Sequence, residues 1–328
     1  MTLVSVPDRH LVAIGAHDGS ADDPLLVAWS DQEDNTTWAA AAANTAGSQR
    51  LAIGTRLMGA VLTRDQILIW SDDAVYSMEF QGPPYTFGFR LLTTGAGLIA
   101  QNAVVEQNGV VYWMSPTNFF VYDGSVTSLP SPVHDYVYDD LNSTVAPFIS
   151  AGRNQRFEEL LWFYASADSA ENDRFVGLNY KSGEWQLGNL ERTNWHDELS
   201  WNNNPIALDA SGNLYYHETG VDDHGSAMSS SIETGAFEVP ETGEFLFVVD
   251  KLITDATITG SLSITFYTRK YPGDTEITKG PYTINSSTTK LSVRLRGRQL
   301  RFKLESTNIG DFWKWGVARI QFRPDSKR

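Results

Sequence analysis

A two-strand unit with an aromatic-rich signature recurs along the first two thirds of the chain. In one copy, Val104–Gln107 and Val110–Trp113 are apolar runs separated by Asn108-Gly109. Asn-Gly between β-branched runs favours a type I′ hairpin turn, because both residues tolerate positive φ. Comparable units occupy residues 59–78, 160–180 and 206–216. Their spacing of roughly 40 to 50 residues is typical of propeller blades, so the repeat predicts a β-propeller, complete or partial.

The remaining segments of this first part set the limits of the fold. Leu11–Gly15 already has the pattern of a blade strand, which gives four or five blade-like units. Such a count predicts either a small or irregular ring, or a chain that is the C-terminal part of something longer. A single short helix is predicted around Val133 to Leu141. No run of about 18 apolar residues and no signal-peptide pattern occurs, so we expect a soluble chain without membrane insertion.

A small, polar segment, Gly220–Ser231, has the composition of a linker or a long loop. After it the strands lengthen, and apolar residues alternate with polar ones. One-sided alternation predicts antiparallel sheets packed over a single core. The sequence therefore predicts an all-β chain with a propeller-like domain at 1–225 and a C-terminal β-sandwich domain at 231–328. The predicted inward rows are Leu262, Ile264 and Phe266; Leu291, Val293 and Leu295; Leu300, Phe302 and Leu304; and Ala318, Ile320 and Phe322.

Charge is unevenly distributed between these two parts. Up to Ser230 there are 29 acidic and 10 basic residues, whereas the rest of the chain has 11 acidic and 15 basic residues. An acidic first domain argues against wrapping duplex DNA by phosphate neutralisation, although it permits DNA to slide past. Ordinary solubility charge is the alternative explanation.

The ordered cations of the last domain form the clearest candidate interface. Arg294 and Arg296 alternate with apolar residues, and Arg301 and Lys303 do the same after a turn at Gly297-Arg298. If the two strands pair as a hairpin, all four cations line one side of it. Such a patch would contact an acidic partner surface or DNA phosphate. The alternative is an exposed strand surface whose positive charge Glu305 partly neutralises.

No constellation in the sequence indicates catalysis or a cofactor. Ser30–Trp38 has the Ser, Thr and Trp spacing of an Asp-box turn but lacks that motif's Asp and Gly. His217–His224 gathers two histidines and three carboxylates at a spacing that fits no known metal loop. A structural turn and a solvated linker explain these segments. With no cysteine and no nucleophile–base pair, we expect a non-enzymatic protein without a metal or cofactor.

The order of several short motifs resembles the tail-hub proteins of tailed bacteriophages. These are also called packaged-DNA stabilisation proteins, and they are related to the tail nozzle proteins of short-tailed phages. The resemblance runs over nearly the whole chain. Its motifs are Asp8–Ala13, Trp29–Asp34, Asn44–Gly47, Phe87–Arg90, Gly109–Met114, Asn118–Gly124, Thr278–Pro281, Arg296–Arg298, Gly310–Trp313 and Arg319–Pro324.

This resemblance implies a structural virion protein located in the phage tail. Members form a homo-oligomeric, usually hexameric, ring below the portal and its adaptor. The ring continues the DNA channel, retains the packaged genome and carries distal tail or fibre proteins. Genomic DNA would pass through without sequence-specific binding. Acidic loops are the expected channel-facing candidates, namely Asp72, Asp73, Asp139, Asp140, Asp222 and Asp223.

Two other function classes stay open. A carbohydrate- or receptor-binding propeller protein of a phage tail is favoured by the 10 tryptophans, which often stack on sugars, although most occupy core-like positions. A glycosidase is the second alternative, and it would use the acidic residues of the 30–38 loop.

Overall fold

A computed structural model describes residues 1–5, 8–197, 203–238 and 245–325 of the chain. The chain divides into two compact units, Met1–Glu218 and Thr219–Arg328, each described by itself below. The division lies just before the predicted linker. The protein is 52% strand and 4% helix, which confirms the predicted all-β class.

The described residues of the first unit form five antiparallel sheets in chain order, which we call blades 1 to 5. Blade 1 is formed by β1 (Thr2–Ser5), β2 (His10–Ile14), β3 (Leu26–Trp29) and β4 (Gly47–Arg50). Blade 2 is formed by β5 (Leu57–Leu62), β6 (Ile67–Ser71), β7 (Ala74–Gly82) and β8 (Thr86–Thr94). Blade 3 is formed by β9 (Val104–Gln107), β10 (Val110–Met114), β11 (Phe119–Tyr122) and β12 (Val126–Ser128).

Blades 4 and 5 complete the first unit. Blade 4 is formed by β13 (Ser150–Asn154), β14 (Glu159–Tyr164), β15 (Arg174–Asn179) and β16 (Trp185–Asn189). Blade 5 has three strands, β17 (Asn194–His196), β18 (Ile206–Leu208) and β19 (Leu214–Tyr216). In the described parts of the unit, no strand of blade 1 pairs with a strand of blade 5.

The first strands of blades 3, 4 and 5 lie side by side, as the blades of a β-propeller do. β13 lies against both β9 and β17. A parallel bridge joins Asn102 and Ser150, and the Ala151 amide donates to the Asn102 carbonyl at 2.6 Å. Blades of meandering strands with adjacent first strands are the arrangement of a propeller around its axis. The propeller prediction is confirmed, and so is the Asn108-Gly109 turn, with φ of 55° and 87°.

One tryptophan from the second strand of each of three blades fills the space between blades. Trp70, Trp113 and Trp162 are fully buried in a single apolar cluster. The indole of Trp113 donates to the Ala96 carbonyl at 2.9 Å, and that of Trp162 to the Ala103 carbonyl at 3.1 Å. Both carbonyls belong to the segment that joins blades 2 and 3. The aromatic residues that mark the sequence repeat are therefore the residues that pack between blades.

Within the part of the chain that the structure describes, helices occur only in the connection between blades 3 and 4. α1 (His134–Asp140) matches the predicted short helix, and a 3₁₀ helix (Ser143–Phe148) follows it. α1 packs through Val137 and Tyr138, and the Tyr138 hydroxyl donates to the Ser115 carbonyl at 2.9 Å. Neither helix has the length and apolar character that crossing a bilayer requires.

The second unit is the predicted β-sandwich. Its first sheet has the strand order β20-β27-β24-β25, with β21 also paired to β27, and its second has the order β26-β22-β29. A further pair joins β23 and β28. The bounds are β20 (Ser230–Glu233), β21 (Phe237–Glu238), β22 (Phe247–Ile253), β23 (Ala256–Thr259), β24 (Leu262–Arg269), β25 (Ile277–Ile284), β26 (Lys290–Gly297), β27 (Gln299–Ser306), β28 (Phe312–Trp315) and β29 (Arg319–Pro324).

Both sheets of the sandwich contribute to one apolar core. Phe266 and Leu304 come from the first sheet, and Phe247, Val293 and Leu295 from the second. The inward rows alternate with polar or charged residues as the sequence predicts, except that Phe322, on the edge strand β29, is 46% exposed and lies outside the core cluster. The outer surfaces of the two sheets therefore carry the charged side chains of this unit.

Candidate interaction surface

The predicted hairpin of β26 and β27 is wrong. The two strands belong to different sheets, and a single residue, Arg298, joins them. A hairpin needs at least a two-residue turn, so the chain instead crosses from one sheet to the other. The amide of Arg298 donates to the Arg269 carbonyl at 2.7 Å at this crossing. Because both apolar rows face the shared core, Arg294 and Arg296 lie on one outer surface of the sandwich, and Arg301 and Lys303 on the other.

Carboxylates of the same sheet neutralise Arg301 and Lys303. Arg301 contacts Glu276 at 2.5 Å, forms a second ion pair with Glu233, and stacks over the Tyr267 ring at 3.9 Å. Lys303 contacts Glu305 at 2.7 Å. Arg301 and Lys303, half of the predicted patch, are thus paired with carboxylates of their own domain. Glu305 partly neutralises their charge, as the alternative interpretation expected.

The outer surface of the second sheet gathers more cations than the sequence analysis predicts. Strand register sets side chains of β22 and β29 beside those of β26: Lys251 lies opposite Ser292 and Gln321, and Ile253 opposite Lys290 and Arg319. We call this outer surface the basic face. Its cations are Lys251, Lys290, Arg294, Arg296, Arg319 and Arg323.

Half of these cations have carboxylate partners. Arg296 contacts Asp325 at 2.5 Å, Arg319 contacts Asp255 at 2.8 Å, and Arg323 contacts Asp250 at 3.2 Å. Lys251, Lys290 and Arg294 form no ion pair within residues 1–5, 8–197, 203–238 and 245–325. The basic face thus keeps uncompensated positive charge. Arg294 and Arg296 were predicted, whereas Lys251, Arg319 and Arg323 were missed because they come from strands distant in sequence.

A groove beside Arg294 opens at the edge where β25 and β26 flank the core. It has a volume of about 380 Å³ and is lined by Asp250, Tyr282, Ser292, Val293 and Arg294. Strand pairing between β22 and both of its neighbours shifts register at Asp250. Such bulges re-aim side chains. The Arg294 groove therefore combines a guanidinium, two hydroxyls and a carboxylate.

The predicted channel-facing carboxylates divide into engaged and exposed groups. Asp72 accepts a hydrogen bond from the Thr55 amide at 2.7 Å and another from its hydroxyl. Burial raises the pKa of Asp72, but the bonds from Thr55 outweigh burial and hold that pKa below its ordinary value. Asp140 contacts Arg174 at 3.0 Å. Asp73 and Asp139 are exposed to solvent.

Asp222 and Asp223 lie at the start of the second unit instead of in the propeller. Both are exposed, and the backbone of Asp223 exchanges hydrogen bonds with that of Ser226 at 3.0 and 2.8 Å. The prediction that ends the first domain at 225 thus includes a turn that belongs to the other unit.

One end of the propeller concentrates acidic residues. Strands alternate in direction within each blade, so the turns between second and third strands lie at the same end as the connections between blades. We call this end the acidic face, and its segments contain 13 carboxylates and 2 arginines. They are residues 15–25, 51–56, 72–73, 95–103, 115–118, 129–149, 165–173, 190–193 and 209–213.

The Asp-box-like loop is a turn stabilised by its own carboxylates. Asp31 accepts from the Thr45 amide at 2.8 Å and from its hydroxyl at 2.5 Å, and Asp34 accepts from the Thr36 amide at 2.8 Å. The hydrogen bond from the Thr36 hydroxyl is the main cause that lowers the pKa of Asp34 to about 2. Both carboxylates hold the loop backbone in place.

The two histidines of the segment 217–224 belong to different units. His217 accepts a hydrogen bond from the Arg192 guanidinium at 3.0 Å and packs on the Trp195 ring at 4.5 Å. His224 lies in the turn of the second unit. In the described ranges, no three His, Asp or Glu side chains form a group suited to hold a metal ion.

A pair of glutamates shares one amide at the end of the propeller opposite the acidic face. The buried Asn154 donates to Glu218 at 2.8 Å and to Glu159 at 3.5 Å. Partial enclosure raises the pKa of Glu159, and the charge of Glu218 raises it further. Glu218 is exposed as a residue, yet enclosure of its carboxylate beside Asn154 raises its pKa too. The pair comes from different blades, so no local motif marked it.

Replacing Glu159 with glutamine is expected to stabilise the propeller at neutral pH by about 0.5 kcal/mol. A folded-state pKa above the ordinary value of 4.5 means that the stabilising form is protonated. That stability is present at low pH and is lost as the pH rises through the folded-state pKa. The gain of Glu159→Gln, measured by urea unfolding, should therefore grow from about pH 4 to pH 7. Glu171→Gln, at an exposed position, is the matched control, and an equal gain for both variants would contradict the explanation.

Most of the tryptophans in the described residues lie in the core. Trp29, Trp70, Trp113, Trp162 and Trp195 are buried. The other described tryptophans are half-buried, namely Trp38, Trp185, Trp313 and Trp315. Trp201 lies outside the described residues. The tryptophans, which favour carbohydrate binding in the sequence, are thus mainly core residues.

Comparisons with known proteins give only distant similarity. No protein-family profile matches the chain. No curated protein matches it. Among solved structures, it is similar to the N-terminal domain of Nup159, with 12% identity and a TM-score of 0.35, over 65% of this chain and 53% of that one. The chain thus spans about half the length of that domain.

A second similar structure is an enzyme. It is an exo-β-1,3-galactanase from Phanerochaete chrysosporium with bound β-1,3-galactotriose, at 10% identity and a TM-score of 0.33 over 94% of each chain. TM-scores of this size transfer no activity, substrate or site to this chain.

Proposed function

We propose that this protein is a non-enzymatic structural component of a bacteriophage tail. It forms a homo-oligomeric, hexameric ring below the portal and adaptor, continues the DNA channel and helps to retain the packaged genome. Distal tail or fibre proteins attach to the ring. The proposal rests on the order of motifs that resembles tail-hub proteins over nearly the whole chain. It assigns the protein to the virion tail.

The structural observation that supports this proposal is the separation of charge between the two β-folds. A propeller with a carboxylate-rich end and a sandwich with a basic face offer complementary surfaces on every copy. Complementary charge steers and registers subunits during assembly. Ring closure then engages every interface at once.

Acidic loops also suit a channel through which DNA moves. A wall rich in Lys and Arg would bind phosphate at each turn of the duplex and slow its passage. Asp73 and Asp139 are exposed and are our leading candidates for the channel wall. Asp72 and Asp140 are held by Thr55 and Arg174, so we assign them a role in supporting these loops.

The oligomeric state tests the proposed function directly. Native mass spectrometry at low ionic strength is expected to show a hexamer, and negative-stain electron microscopy a ring with an axial hole. The purified adaptor protein of the same virion should increase the hexamer fraction. A chain that stays monomeric at high concentration, low salt and in the presence of that neighbour would exclude the ring. Strong binding of the monomer on a glycan array would support the carbohydrate-binding alternative instead.

A further inference from the structure

The basic face of the sandwich has the composition of a protein-binding surface. Its six cations lie beside two apolar side chains near opposite ends of β22, Val248 and Ile253, and Ile253 is 40% exposed. Three carboxylates already compensate half of the cations. A surface that mixes apolar side chains with charges already partly paired within the domain resembles the polar part of a protein interface. A site for DNA phosphate would instead use most of its Lys and Arg against the phosphates.

Arg294 is the member best placed to anchor a partner. It forms no ion pair within the described ranges and lines a groove of about 380 Å³. Tyr282 and Ser292, which carry hydroxyl groups, line the same groove, and its carboxylate, Asp250, is paired with Arg323 at 3.2 Å. A guanidinium with neighbouring hydroxyl donors favours a carboxylate, which it binds through two parallel hydrogen bonds. An arginine in a groove is also the residue type that dominates binding energy at interfaces.

The acidic face of the propeller supplies such carboxylates on every copy of the chain. Its segments carry 13 acidic residues against 2 arginines, and Asp73 and Asp139 are exposed there. We propose that the basic face of one copy binds the acidic face of a second copy, with a carboxylate of the second copy seated in the Arg294 groove. This inference rests on the proposed ring. Contact between two different surfaces repeats from copy to copy, so it forms a ring when the rotation closes.

Charge reversal on the basic face tests this contact. Lys251→Glu/Arg294→Glu reverses two unpaired, outward-facing cations, and Lys270→Glu/Lys279→Glu makes the same charge change near and on the edge strand of the other sheet. By sedimentation velocity, the unaltered protein should associate in about 50 mM salt and dissociate as salt rises, because exposed charges are screened. The Lys251/Arg294 variant should associate about tenfold more weakly, and the control should not change. Circular dichroism should show all variants folded.

A reciprocal variant makes the test specific to a second copy. Asp73→Lys/Asp139→Lys reverses two exposed carboxylates of the acidic face and should also weaken self-association. An equal mixture of the two reversed variants is expected to recover it, because each altered face then meets an altered partner of opposite charge. Recovery requires contact between the two faces, which a folding defect or a general change in net charge cannot mimic.

Three outcomes would overturn the inference. These are an unaltered protein that stays monomeric at low salt, equal association of the Lys251/Arg294 variant and its control, and a mixture that fails to recover association. A fluorescent DNA duplex that binds the unaltered protein but not the Lys251/Arg294 variant, without self-association, would assign the face to DNA. A hexameric ring that ignores both reversals would refute the inference and leave the proposed function standing. Charge-dependent association without a closed ring would support the inference and refute the proposed function.

Discussion

Replacing Trp162 with alanine is expected to lower the free energy of unfolding of the propeller by about 3 to 5 kcal/mol. The side chain is fully buried, and its ring lies 5.3 Å from Phe119 and 6.3 Å from Trp185, centroid to centroid. Truncation leaves a cavity in the cluster that joins blades 2, 3 and 4. It also removes one of the two hydrogen bonds to the buried Ala103 carbonyl, which keeps the Met114 amide as a donor at 3.1 Å.

Chemical denaturation followed by circular dichroism measures this loss. Trp162→Phe keeps most of the apolar contact and loses one hydrogen bond to a carbonyl that the Met114 amide still satisfies, so it should cost about 0.5 to 1.5 kcal/mol. Trp38→Ala is the control: this half-buried indole bonds only to the Asn35 carbonyl in its own loop, and we expect less than about 1 kcal/mol. A Trp162→Ala variant as stable as Trp38→Ala would show that the aromatic signature is not the packing between blades.

Gly97→Ala is expected to destabilise the propeller by about 3 kcal/mol. A Cβ at Gly97 would lie 2.2 Å from the Asp72 carbonyl oxygen and 2.5 Å from the Asp73 amide nitrogen. The flanking residues cannot yield, because the Ala96 amide bonds to the Asp73 carbonyl and the Leu98 amide to the Ser71 carbonyl, both at 3.1 Å. Relief of the clash therefore breaks backbone hydrogen bonds in the connection between blades 2 and 3.

The matched control is Gly273→Ala in the sandwich, where an added Cβ meets nothing within 4 Å and φ lies outside the left-handed region. Thermal and urea unfolding should show a neutral effect there and a large one at Gly97. Equal midpoints for the two variants would mean that the 72–73 turn moves freely. Because that turn carries the exposed Asp73, such mobility would also weaken its assignment to a defined acidic face.

The fold could be predicted from the alternation of apolar and polar residues along the strands and from the residues that form turns. Asn108-Gly109 closes a hairpin with positive φ at both positions, and the inward rows of Leu262 to Phe266 and Leu300 to Leu304 face the core as predicted. The short helix lies within one residue of its predicted limits at each end. These features depend on neighbouring residues, so a single sequence contains enough information to predict them.

The basic face and the glutamate pair could not be predicted, because they depend on contacts between residues far apart in the sequence. Arg294 and Arg301 have the same alternation, yet the crossing at Arg298 puts them on opposite outer surfaces. Lys251 and Arg319 join Arg294 only because β22 and β29 pair in register across long sequence separations. The Glu159–Glu218 pair likewise spans two blades.

The sequence by itself therefore determined the strand elements, their alternation, the blade repeat and the separation of charge along the chain, because each arises from the chemistry of near neighbours. Only the tertiary structure decided which strands share a sheet and which carboxylates neutralise which cations. Sheet membership depends on long-range pairing and on packing over a common core. Two strands with the same local pattern can pack against that core from opposite sides, as β26 and β27 do.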